Sequence, residues 1–178
     1  QALSTAQFQG AAITHQLMRL MQSLERSGRL SPALEFLPAP KVMAARLAAG
    51  QGFTRPELAV LMAYGKIELF EEILGSKLPD EPHMLCEAKA YFPRVLQERF
   101  DSLIEQHPLR REIIATHTAN SIVNRVGSHF VGEIQATTGR AVCDIARAYA
   151  IVRDSLGLRA LWDAIEALDG TVSAAVQM

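Results

Sequence analysis

Cysteine, strand-type patterning, long apolar runs and a surplus of either charge are all scarce in this sequence, and each scarcity excludes a class. Cys86 and Cys143 are the only cysteines among 178 residues. Two do not make a disulfide framework, and they read as small buried side chains in a reducing compartment. No uninterrupted apolar run approaches the ~20 residues needed to span a bilayer. Lys and Arg total 18 against 19 Asp and Glu, a formal net charge of −1, which leaves no bulk attraction to nucleic acid or anionic lipid. Period-2 alternation in Val/Ile/Thr-rich runs is nearly missing, which argues against a sheet. The start, Gln1-Ala2-Leu3-Ser4, has neither the charged nor the apolar region of a signal peptide. It also lacks an initiator Met, so the chain reads as a piece cut from a longer one.

What remains is Leu- and Ala-rich helix. With 49% hydrophobic and 21% charged residues the composition is globular, and the length suits a single domain with sub-parts 1–52 and 53–178. A first helix is expected over Thr5–Ser27, where Ile13, Leu17, Leu20, Met21 and Leu24 share one face. A helical turn follows Ser31-Pro32, then a helix over Lys41–Ala49 that ends at Gly50-Gln51-Gly52. Thr54-Arg55-Pro56-Glu57 is a capping box, with Pro where its missing N–H is harmless. The helix it opens runs to about Leu74, is apolar on most sides, and is expected to be central. Shorter helices are expected to end near Phe92 and before Pro108. The longest is expected over Leu109–Thr137, about 40 Å of continuous helix at the centre of the bundle. Two more are expected over Ala141–Leu156 and Leu158–Leu168, and Val172–Met178 reads as the start of a further helix. The fold class is therefore all-α, a bundle of seven to nine helices around a long central one.

Catalytic patterns are sparse. Gly50-Gln51-Gly52 is part of a dinucleotide fingerprint but lies between helices rather than after a strand. None of His15, His83, His107, His117 and His129 pairs with another at i+3 or i+4, so there is no helical metal clip. No serine or cysteine sits in a nucleophile motif, and Glu71-Glu72 reads as an exposed acidic face. No catalytic, cofactor-binding or metal residue is assigned. The one pattern that demands explanation is the polar column Thr116, Asn120, Asn124, spaced i, i+4, i+8 on the long helix. Asparagine is a poor interior helix former. On a buried face these amides need partners, either across the bundle to fix packing register or on a neighbouring domain, subunit or ligand. Arg125 and Arg55 are candidates to join them.

Several segments together resemble a known family. They are Gly28-Arg29-Leu30 with Glu35-Phe36-Leu37-Pro38, and Gly50-Gln51-Gly52-Phe53-Thr54-Arg55-Pro56-Glu57-Leu58-Ala59-Val60-Leu61. Further on come Leu109-Arg110-Arg111-Glu112-Ile113-Ile114-Ala115-Thr116, then Ala119-Asn120-Ser121-Ile122-Val123-Asn124-Arg125-Val126-Gly127. Ala146-Arg147-Ala148-Tyr149, Leu161-Trp162 and Ile165-Glu166-Ala167-Leu168-Asp169 complete the set. In order and spacing the chain resembles the helical region C-terminal to the catalytic domain of the large bacterial NAD-specific glutamate dehydrogenases. Departures are local: Gly65 stands where the family usually has Ala, His117 where a longer polar or basic residue is common, and Asp144 opens its helix without the usual serine cap.

The resemblance implies a cytoplasmic parent enzyme of glutamate catabolism that oxidises L-glutamate to 2-oxoglutarate and ammonium while reducing NAD. It also implies an upstream catalytic domain on the same chain and a homo-oligomeric parent, while the charge balance and short apolar runs point to neither nucleic acid nor membrane as partner. The family's catalytic residues lie upstream, so none is carried onto this sequence, and the fragment alone is expected to be inactive. Three roles compete: a structural and assembly domain, a ligand-sensing module with a pocket near the asparagines, and a helical adaptor with an exposed apolar groove.

Overall fold

The computed structural model describes residues 10–173. Among them are nine α-helices, two short 3-10 turns and no strand, only an isolated bridge between Asp169 and Val172. The helices are α1 (Ala11–Arg26), α2 (Pro40–Ala48), α3 (Arg55–Gly75), α4 (Leu85–Tyr91), α5 (Arg94–Glu105), α6 (Arg110–Val126), α7 (Phe130–Thr138), α8 (Val142–Ser155) and α9 (Leu158–Glu166). The expected all-α bundle is what the chain forms. The parts of the first expected helix before residue 10, and of the last after residue 173, lie outside the described residues.

Two cores share one helix. Leu17, Met21 and Leu24 of α1 pack with Leu30, Leu37, Met43 and Phe53 against Leu58 and Leu61 of α3. The second half of α3, Leu69 and Ile73, enters a larger core with Met84, Ala88, Ile114, Ala115, Ile122, Val123, Ala146 and Ala150. The buried positions of α3, Leu58, Leu61, Gly65, Leu69 and Ile73, follow helical spacing, so one stripe runs through both cores. Its far side is open, and Ile67 is half-exposed. Each fully buried Leu contributes about 1.5–3 kcal/mol, so α3 is the spine on which both halves depend.

The ends of α3 are fixed as its sequence dictates. Glu57 accepts a hydrogen bond from the Thr54 backbone N–H at 2.7 Å, closing the capping box. The same carboxylate takes Arg46 of α2 at 2.8 Å. At the other end, Arg111 of α6 donates to the Leu74 and Ser76 carbonyls at 2.8 and 2.9 Å and pairs with Asp80. These carbonyls belong to the last turn of the helix, where orphan acceptors need partners. Helices α3 and α6 pack more extensively than any other pair.

The expected continuous helix over Leu109–Thr137 is broken. Helix α6 stops at Val126, and α7 begins at Phe130. Gly127 adopts φ +93° and ψ 157°, backbone that only glycine enters without strain. The His129 ring lies over it, and a Cβ at position 127 would come within 2.8 Å of His129 Cε1. The turn lets Phe130 and Val131 pack on the larger core before α7 runs beside α8. A second glycine serves close approach: a Cβ at Gly65 would meet the Ser128 Cβ at 3.3 Å. The α6–α7 turn therefore rests directly on α3.

Candidate functional site

The polar column does not sit where it was expected. The buried face of α6 runs through Ile114, Ala115, Thr118, Ala119, Ile122 and Val123. At about 100° of rotation per residue, Thr116, Asn120 and Asn124 fall on the opposite flank. Thr116 and Asn120 are half-buried and Asn124 is exposed. Their side chains make no hydrogen bond among the described residues. Arg125 does not join them. It pairs with Glu166 at 2.5 Å and lies 4.7 Å from the Trp162 ring centroid, fastening α9 to α6. Arg55 is exposed at the first position of α3. The cysteines also depart from expectation: Cys86 is exposed and Cys143 half-buried. Helix α4 turns Glu87 and Ala88, rather than Cys86, into the core.

The group that sequence spacing missed is a buried ion cluster. Glu87 of α4 and Arg153 of α8 both have fully buried side chains and are hydrogen-bonded to each other. Arg159 of α9 donates to the same Glu87 oxygen at 2.5 Å. Arg153 also donates to Asp154 at 2.8 and 2.9 Å, and Arg159 to Asp154 at 3.1 Å. His117 Nδ1 lies 2.6 Å from the second Glu87 oxygen. An ionised carboxylate only accepts, so Nδ1 carries the proton. The buried Glu87 and Arg153 balance each other, and the partly exposed Asp154 and Arg159 complete the set at its rim. Burial works against the charged form of Glu87, but the His117 hydrogen bond and the two arginines overcome it and hold its carboxyl at about 2. The cluster joins α4, α6, α8 and α9.

The carboxylate oxygens of this cluster are fully engaged. Cys86, Glu87 and Asp154 place ligand-type atoms within 4.8 Å of one another. The arginines already occupy those oxygens, and an entering metal ion would face two guanidiniums. Burial and the neighbouring carboxylates push the Cys86 thiol above its ordinary value, the wrong direction for a nucleophile. One atom of the cluster is unfilled: Arg153 Nη1 is buried without a hydrogen-bond partner.

Two concavities lie on the surface of the described residues, one of them with Arg153 in its wall. A half-polar cleft of about 520 Å³ lies between α1, α3 and the α6–α7 turn, near Arg19, Glu68 and His129. Burial raises the Glu68 carboxyl and lowers the His129 imidazole, so each is shifted toward neutrality. An apolar groove of about 560 Å³ runs between α7 and α8 and is closed by α9. Phe130, Ile134, Ile145, Val152 and Trp162 line it, with Arg153 in its wall and Arg140 also lining it. Tyr149 also lines it: its hydroxyl donates to the Ser121 carbonyl at 3.2 Å, and burial raises its phenol.

This is a helical domain whose buried charges are spent on holding helices together. Residues 50–178 match the family described as glutamate dehydrogenase, C-terminal, and the chain belongs to that family. It is 42% identical to an NAD-specific glutamate dehydrogenase of Pseudomonas aeruginosa over 178 residues, all of this chain and 11% of that protein. With the protein of the same name from Halomonas elongata it shares 42% over 159 residues, 89% of this chain and 10% of that one. With that of Mycobacterium tuberculosis it shares 40% over 134 residues, 75% of this chain and 8% of that one. The chain thus spans about a tenth of the length of the curated relatives it matches. No solved structure matches it. No helix among the described residues is long and apolar enough to cross a membrane.

Proposed function

We propose that this chain is the structural and assembly domain at the C-terminal end of an NAD-dependent glutamate dehydrogenase. The parent oxidises L-glutamate to 2-oxoglutarate and ammonium and reduces NAD. The catalytic and nucleotide-binding residues lie upstream on the same polypeptide, the parent is a homo-oligomer, and the enzyme works in the cytoplasm. The observation that carries this reading is the alignment of the whole chain at 42% identity onto 11% of an NAD-specific glutamate dehydrogenase. The Glu87–Arg153 cluster supports it, because these charges are committed to joining four helices. Thr116, Asn120 and Asn124, without partners among the described residues, together with the exposed Arg55, are offered as contacts to the rest of the parent. The test is NADH formation by the purified parent. Glutamate-dependent reduction of NAD is expected, with none from residues 1–178 alone. A parent that reduces no NAD with glutamate, or turnover by the fragment, overturns the reading.

A further inference from the structure

The apolar groove between α7 and α8 has no occupant among the described residues, and its chemistry states what fits it. Phe130 and Ile134 stand at i, i+4 on α7 along one wall, with Val126 at the end of α6 beside them, and Ile145 and Val152 stand opposite at i, i+7 on α8. Val152 is 51% exposed, so the groove is open along its length rather than a sealed cavity. The nine residues of α7 give a wall about 13 Å long, enough for two to three turns of a docked helix. Helix-in-groove recognition of this kind uses apolar anchors at i, i+3 or i+4, and i+7.

Two polar features add direction. Arg140 lines the groove, is exposed, and has no ion pair among the described residues. Arg153, in the groove wall, holds a buried Nη1 with no acceptor. Asp144, also in the wall, shares Arg147 with Glu81. Arg140 and Arg153 Nη1 are the groove's donors without an acceptor among the described residues. About nine-tenths of the Pseudomonas relative lies outside the region this chain matches, so the enzyme has ample chain to fill the groove.

We infer that the α7–α8 groove seats an amphipathic helix from the part of the enzyme chain outside residues 1–178, with an apolar stripe on Phe130, Ile134 and Val152 and a carboxylate on Arg140. The inference rests on the proposed function, since it needs a longer parent. A glutamate assay on the same preparation separates failure of one from failure of the other.

The experiment places the photocrosslinker benzoylphenylalanine at position 134, and separately at 152, of the full-length parent. Isotopically heavy and light chains are mixed before irradiation, and the joined peptides are mapped by mass spectrometry. Crosslinks from both positions to a peptide outside residues 1–178 of the same chain are expected. Arg140→Glu, at an exposed side chain, is expected to lower their yield by up to about fivefold, the worth of one exposed ion pair. Crosslinks confined to residues 1–178, crosslinks joining heavy to light chains, or no crosslinks at all overturn the intramolecular helix. An unchanged yield in Arg140→Glu overturns the carboxylate.

Discussion

Replacing Glu87 by Gln keeps the side chain's size and removes its charge. Arg153, fully buried, then retains only Asp154 as its counter-charge. Removing one partner of a buried pair costs about 3–5 kcal/mol, because the other charge is left without compensation. The surviving Asp154 contacts place this case at the low end. The depressed carboxyl gives a second figure for the same contacts. The Glu87 carboxyl lies near 2, down from 4.5. A shift of that size is worth about 3 kcal/mol at neutral pH. For a chain of this length about 3 kcal/mol is roughly 6–12 °C in Tm. Thermal unfolding followed by circular dichroism checks the value. Arg153→Met alone should cost a similar amount, but the double variant should cost less than the sum by about 2 kcal/mol, because each single change strands the other charge. A loss below about 1 kcal/mol for Glu87→Gln, or strict additivity in the cycle, would refute the account of the cluster.

Acid should act through the same carboxylate. A depressed carboxylate stabilises above its unfolded value and loses that contribution as pH falls through the folded one, so the Glu87 share disappears between about 4.5 and about 2. Denaturant titrations across that window should show a steeper loss in the wild type than in Glu87→Gln; parallel curves would count against it. Gly127→Ala forces an L side chain to φ +93° and into the His129 ring. The expected cost is about 2 kcal/mol or more, read from denaturant midpoints, and a neutral result would mean that α6 can run on through the turn. Thr54→Ala removes the N-cap of the spine helix and should cost about 1 kcal/mol; no change in midpoint would show that Glu57 and Arg46 hold that end unaided.

The parts of this fold legible in sequence are those specified locally. Thr54, Pro56 and Glu57 lie within four positions, so the start of α3 can be read directly, and it forms as expected. The break at Gly127 could not be read so easily. A glycine permits a positive φ without requiring one, and the flanking Val126, Ser128 and His129 carry no stop signal. What forces the turn is tertiary: Ser128 seated on Gly65, and Phe130 drawn into the core. The side taken by the polar column is not legible either: Ile113 lies on the same flank as Asn120 and Asn124, and the packing of α3 and α4 on α6 selects the other face for burial.

The ion cluster was hidden by distance, since Glu87 and Arg153 are 66 positions apart. A signal was nevertheless present. Arg153 continues the stripe Ala146, Ala150 at i+7 and i+3, and Glu87 falls beside Ala88 on the buried side of α4. Two opposite charges in apolar phase on separate helices are a pattern that sequence can offer.

The central claim, that these residues support a glutamate dehydrogenase without entering its chemistry, is tested most directly by steady-state kinetics of the parent carrying Arg153→Met. The account predicts a lower temperature of inactivation, with KM for glutamate and NAD unchanged within about twofold. A rise of about tenfold in either KM at unchanged thermal stability would place this domain at the substrate and contradict the account.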